Sequence, residues 1–133
     1  MGAKKVLIID DDQSVQDILA LILEAEGYAV VSALDGIAAM QVARQEVPDV
    51  IVLDLGLPGA DGFLILERMR NSARLARIPV IVLSASDAAT NRKRALGCGA
   101  VAYLQKPTRK HDLVTAMRQA LGGAPAVSSF LRT

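Results

Sequence analysis

The chain has 133 residues, the length of one globular domain and too short for two. Hydrophobic residues make up 52% of it, enough for a buried core, and the few aromatics (Tyr28, Phe63, Tyr103, Phe130) make that core aliphatic. A net charge of +1 gives no electrostatic footprint for nucleic acid or membrane, and the single cysteine, Cys98, excludes an internal disulfide and fits a reducing compartment.

The first apolar run, Val6-Leu7-Ile8-Ile9, is too short for a signal-peptide core or a membrane span, so a cytoplasmic protein is expected. Continuous aliphatic runs without alternation suit strands buried on both faces. Asp10-Asp11-Asp12 follows, with Asp12 read as a solvated loop residue. Val15, Ile18, Leu19, Ile22 and Leu23 then mark one helix face, with Ser14 predicted as its cap, Asp17 three residues on, and Gly27 as its stop. A weaker run from Tyr28 to Ser32 predicts an edge strand, and Ala39, Met40 and Ala43 predict a second helix after Asp35.

The second strong run, Val50-Ile51-Val52-Leu53, ends in Asp54, and a third helix carries Ile65, Leu66 and Met69 after Asp61. Val80-Ile81-Val82-Leu83 ends in Ser84. A fourth helix over about residues 87–96 is short of apolar residues and predicted to be the least firmly packed; its Arg92, Lys93 and Arg94 read as a solvated face. Cys98 lies between Gly97 and Gly99 in a predicted loop and reads as inert. Ala100 to Leu104 predicts a second edge strand, followed by Gln105-Lys106-Pro107. Thr108 is the predicted cap of a fifth helix carrying Leu113, Met117, Ala120 and Leu121. Residues 1–121 therefore read as one domain, and 122–133, rich in Gly, Ala and Ser, as a flexible tail or linker.

Five alternating strand–helix units predict a doubly wound α/β fold of the flavodoxin-like type, a five-stranded parallel sheet with right-handed crossovers. The strongest runs are the first, third and fourth, which should be central. Order 2-1-3-4-5 satisfies this and puts a switch point between strands one and three. Ligand chemistry in such sheets gathers at the carboxyl ends of the strands, so Asp10, Asp11, Asp54, Ser84 and Lys106 should converge. Carboxylates about 5 Å apart repel by roughly 3 kcal/mol per pair at an effective dielectric near 20. A hard divalent cation removes that conflict, and magnesium favours carboxylates with water and phosphate oxygens.

In combination, Asp10-Asp11, Asp54 with the Leu-Gly-Leu-Pro-Gly-Ala-Asp-Gly that follows it, Ser84-Ala85 and Lys106-Pro107 resemble the receiver domain of two-component response regulators, chemotaxis-Y-like, over about residues 4–121. The resemblance implies a phosphorelay signalling module rather than an enzyme. In it Asp54 is the phosphoacceptor, and magnesium (or manganese) is held by Asp11, Asp54 and the Gly56 backbone carbonyl, with Asp10 helping directly or through water. It further implies that Ser84 and Lys106 stabilise the phosphoryl group, that Ser84 and Tyr103 form the switch, and that the Lys106–Pro107 peptide is cis. The free protein should then leave Ser84 without a strong partner and Tyr103 partly in solvent, and phosphorylation should alter the surface of helix four, strand five and helix five. Implied partners are a sensor histidine kinase or histidine phosphotransfer protein, a downstream protein target and a phosphorylation-dependent second copy. Thr108 stands where many members carry Phe, and the acidic-Tyr pair of the winged-helix transcription-factor branch is missing, so that branch's dimer face is not carried over.

Two other readings compete. A haloacid-dehalogenase-like phosphatase would use Asp10 as nucleophile, but needs a further acidic motif after the lysine where only Asp112 stands. A flavodoxin-type binding module shares the topology, yet three consecutive aspartates would repel the phosphate its first loop must cradle. His111, alone between Lys110 and Asp112, reads as a solvated surface histidine.

Overall fold

The computed structural model describes residues 2–56, 62–85 and 89–122. Strands and helices alternate as β1 (Lys5–Ile9), α1 (Gln13–Ala25), β2 (Ala29–Ala33), α2 (Gly36–Glu46), β3 (Val50–Asp54), α3 (Gly62–Arg70), β4 (Val80–Ser84), α4 (Ala89–Gly97), β5 (Ala102–Gln105) and α5 (Lys110–Ala120). The predicted tail beyond Gly122 lies outside the described residues. All four strand pairings are parallel, and the order is β2-β1-β3-β4-β5. The three strong runs are the central strands: β3 and β4 are buried throughout, whereas β2 and β5 are partly exposed edges. Among the described residues no helix is long and apolar enough to cross a membrane.

Because side chains alternate across a strand, the sheet divides the interior in two. Leu7, Ile9, Ile51, Leu53, Val80, Val82 and Tyr103 pack beneath α2, α3 and α4. Val6, Ile8, Val50, Val52, Ile81 and Leu83 pack beneath Leu19 and Leu23 of α1 and Leu113, Ala116 and Met117 of α5. Ala95 is the single buried residue of α4, in keeping with its apolar-poor sequence.

Several local expectations are corrected. Asp12, not Ser14, caps α1: its backbone is still extended, and its Oδ1 accepts from the Ser14 and Val15 amides at 2.9 and 3.3 Å. Asp12 is thus a structural turn residue rather than merely a solvated one. α5 starts from Arg109 without a side-chain cap, and the Thr108 hydroxyl donates to the Arg109 carbonyl at 3.4 Å instead. The buried face of α1 is turned by one residue from the predicted one: Ile18 is 59% exposed and Gln16 only 2%. Asp35 caps α2 through the Ala38 amide at 2.8 Å.

Candidate functional site

β1 delivers Asp10 to the carboxyl end of the sheet, where its amide donates to the Ala33 carbonyl of β2 at 3.2 Å. The Asp12 cap turns the chain there into α1, so Asp10 and Asp11 stay in the crevice beside β3. The Ser14 hydroxyl donates to Asp12 at 2.8 Å, and that bond, with those from the Val15 and Ser14 amides, lowers the Asp12 pKa below its ordinary value. At the end of β3, Asp54 is 6% exposed, and its Oδ1 accepts from the Gly56 amide at 3.0 Å.

Asp10, Asp11 and Asp54 each bring a carboxylate oxygen within 4.8 Å of the others. Asp10 and Asp54 are buried and Asp11 is exposed, so the cluster opens to solvent on one side. At that separation two carboxylates repel by about 3.5 kcal/mol at an effective dielectric near 20. Part of this is offset by Lys106, whose ammonium lies 2.7 Å from Asp10 Oδ2 and 3.2 Å from Asp54 Oδ2. Burial is the largest influence on the Lys106 pKa and lowers it, but the Asp10 hydrogen bond and the Asp54 and Asp10 charges together outweigh it, and the net shift is upward. Three carboxylates and one ammonium leave two negative charges, which a divalent cation would balance. The donor set therefore fits such an ion.

Ser84 ends β4 and is 6% exposed; its carbonyl accepts from the Lys106 amide at 2.7 Å. The Lys106–Pro107 peptide is cis. Two expectations fail here. Tyr103 does not reach into solvent: it is 5% exposed and packs in the core beneath α4, with the Arg92 guanidinium 6.0 Å from its ring centre. Nor does Ser84 lack partners. Gln16 is a residue that sequence reasoning missed. Its buried side-chain nitrogen donates to the carbonyls of Ile8, Asp10 and Ala33 at 3.0, 3.1 and 2.9 Å. A polar residue inside an amphipathic run gave no signal beyond its spacing from Leu19 and Leu23.

The sequence pattern of the response regulator receiver domain matches residues 6–118. A curated relative, the DNA-binding dual master transcriptional regulator RpaA of Synechocystis sp., is 39% identical over 117 residues, which are 88% of this chain and 48% of the relative. The chain thus spans about half the length of that protein. Among solved structures, a protein described as a response regulator from Chloroflexus aurantiacus superimposes with a TM-score of 0.86 at 32% identity, covering 90% of this chain and 98% of that one. The receiver domain of the sensor histidine kinase PA1611 from Pseudomonas aeruginosa, solved with a magnesium ion coordinated in its active-site cleft, gives 0.83 at 28% identity, covering 92% of this chain and 100% of that one. With an acidic crevice at the switch point of a 2-1-3-4-5 sheet and this likeness along nearly its whole length, the chain belongs to the response regulator receiver domain family of two-component systems.

Proposed function

We propose that this chain accepts a phosphoryl group on Asp54, in a site completed by magnesium, and so carries a signal from a histidine kinase or phosphotransfer protein to a downstream target. The observation that carries this reading is the convergence of Asp10, Asp11 and Asp54 within 4.8 Å, with the Lys106 ammonium shared between two of them. Asp10, Asp11, Asp54 and the Gly56 carbonyl would hold the metal, which supplies positive charge for phosphoryl oxygens. The magnesium reported in the PA1611 receiver cleft supports the same assignment here.

The chain's own residues do the rest. An Asp54 carboxylate oxygen forms the new O–P bond as the P–N bond of a phosphohistidine breaks, its electron pair staying on the imidazole. Gly56 N–H fixes the carboxylate from one side at 3.0 Å. Lys106 is on hand to pair with the added charge, and Ser84, at the end of the neighbouring strand, to donate a hydrogen bond to it. Transfer of this kind rests on positioning and electrostatics, and burial of Asp10 and Asp54 strengthens both. Family membership favours Asp54 over Asp10 as the nucleophile.

Intact-protein mass spectrometry tests the assignment. A small acyl phosphate with magnesium should add one base-labile phosphoryl group to the wild type and none to Asp54→Asn. Equal labelling of the variant would sink it.

A further inference from the structure

Parallel strands release their chain at the carboxyl end with carbonyls that the ladder no longer serves, and buried carbonyls need donors. At the β1–β2 seam one side chain reaches three carbonyls, those of Ile8, Asp10 and Ala33, the last of which also accepts from the Asp10 amide at 3.2 Å. Gln16 Nε2 donates to them at 3.0, 3.1 and 2.9 Å from a position 2% exposed. An amide nitrogen has two hydrogens, so at least one of these bonds is shared. Gln16 Oε1 is buried and accepts nothing among the described residues. The residue therefore acts here by donating, and an acceptor left idle in the interior is tolerated for it.

The middle carbonyl matters most. Asp10 C=O belongs to the peptide that joins Asp10 to Asp11, so the bond from Gln16 sets that peptide's plane. Asp10 is also gripped by its amide on Ala33 at 3.2 Å, by the Asp12 amide on its Oδ1 at 2.9 Å and by Lys106 on its Oδ2 at 2.7 Å. Asp11 is exposed, makes no hydrogen bond or ion pair among the described residues, and depends on that peptide for its direction.

We propose that Gln16 is a positioning residue whose side-chain amide fixes the Asp10–Asp11 peptide and thereby holds the acidic pair at the spacing the proposed magnesium site needs; this rests on the metal reading above. Partners one shell behind metal ligands typically change affinity by 10- to 100-fold when removed. Gln16→Met keeps length and packing but loses the donor. Leu23→Ala, on the same helix and fully buried, lowers stability without touching the seam.

Magnesium chloride titrations by calorimetry should show Gln16→Met binding about tenfold more weakly, and Leu23→Ala binding like the wild type. In metal-free protein the Asp12 amide, bonded to Asp10 Oδ1, should exchange faster in Gln16→Met than in Leu23→Ala. If Gln16→Met does not fold, Gln16→Asn, one carbon short of the same carbonyls, takes its place in both measurements. Equal magnesium affinity in Gln16→Met and wild type would overturn the inference. A wild type that ignores magnesium would overturn the metal reading itself. In that case exchange at Asp12 decides whether the clamp exists: unchanged exchange removes it, and selective acceleration retains it.

Discussion

Replacing Lys106 by Met gives the sharpest test of the electrostatics. Methionine keeps most of the apolar stem and removes the ammonium. Asp10 and Asp54, with side chains only 2% and 7% exposed, then face each other with no ion-pair partner among the described residues. Their mutual repulsion is about 3.5 kcal/mol at a dielectric near 20, and removing one partner of a buried ion pair costs about 3–5 kcal/mol. The Lys106 side chain is itself 21% exposed, which places the expected loss toward the lower end. For a domain of this size that lowers Tm by about 10–15 °C in chelator at neutral pH. The gap should narrow in millimolar magnesium, and the variant should gain more from the metal than the wild type does. Alkaline pH should weaken the same contact in the wild type. The Lys106 pKa is raised above 10.5, so its contribution is complete below that pH and is lost as pH climbs through the higher folded value. Thermal melts across pH and magnesium concentration read all of this. A Lys106→Met protein with wild-type Tm in chelator, or with no larger response to magnesium, would refute the reasoning.

Other outcomes follow from local geometry. A Cβ on Gly62 would lie 2.5 Å from Leu55 Cα and 2.8 Å from its carbonyl oxygen; Gly62→Ala should therefore push the start of α3 off the residue after Asp54, seen as a lower urea midpoint and shifted Leu55 and Gly56 amides. Asp12→Ala should lower the urea midpoint at neutral pH, and the deficit should fade below pH 3.8, because a depressed carboxyl stabilises only above its folded pKa. Arg94 stacks its guanidinium 3.9 Å from the Phe63 ring centre, and α4 buries only Ala95; Arg94→Ala should accelerate amide exchange in α4 while leaving β3 unchanged.

The sheet was legible because Val6–Ile9, Val50–Leu53 and Val80–Leu83 carry nothing but aliphatic residues, a composition only doubly covered strands tolerate. That also ordered the strands and brought the carboxylates and Lys106 to one rim. What the sequence left undetermined turned on a single residue of phase. Asp12 and Ser14 are both good caps, and the choice fell to where β1 releases the chain, with Asp12 still extended. Tyr103 was expected partly in solvent because the resemblance makes it a switch residue, yet its side of β5 is the one α4 covers. Gln16 was invisible because its partners are backbone carbonyls, which leave no trace in residue identity.

The division of the interior by the sheet has a consequence for how news of Asp54 can travel. Asp54 continues the alternation of Val50 and Val52, on the side of α1 and α5, whereas Ser84 continues that of Val80 and Val82, on the side of Tyr103. The Asp54 carboxylate and the tyrosine thus belong to opposite rooms. The wall between them is stitched at its rim, by Leu55 N–H on the Leu83 carbonyl at 3.1 Å and Lys106 N–H on the Ser84 carbonyl at 2.7 Å. With the main chain of β4 held from both neighbours, the phosphorylation of Asp54 proposed above would move Ser84 by turning its side chain, not by shifting its backbone. The doorway between the two rooms is one χ1 torsion wide.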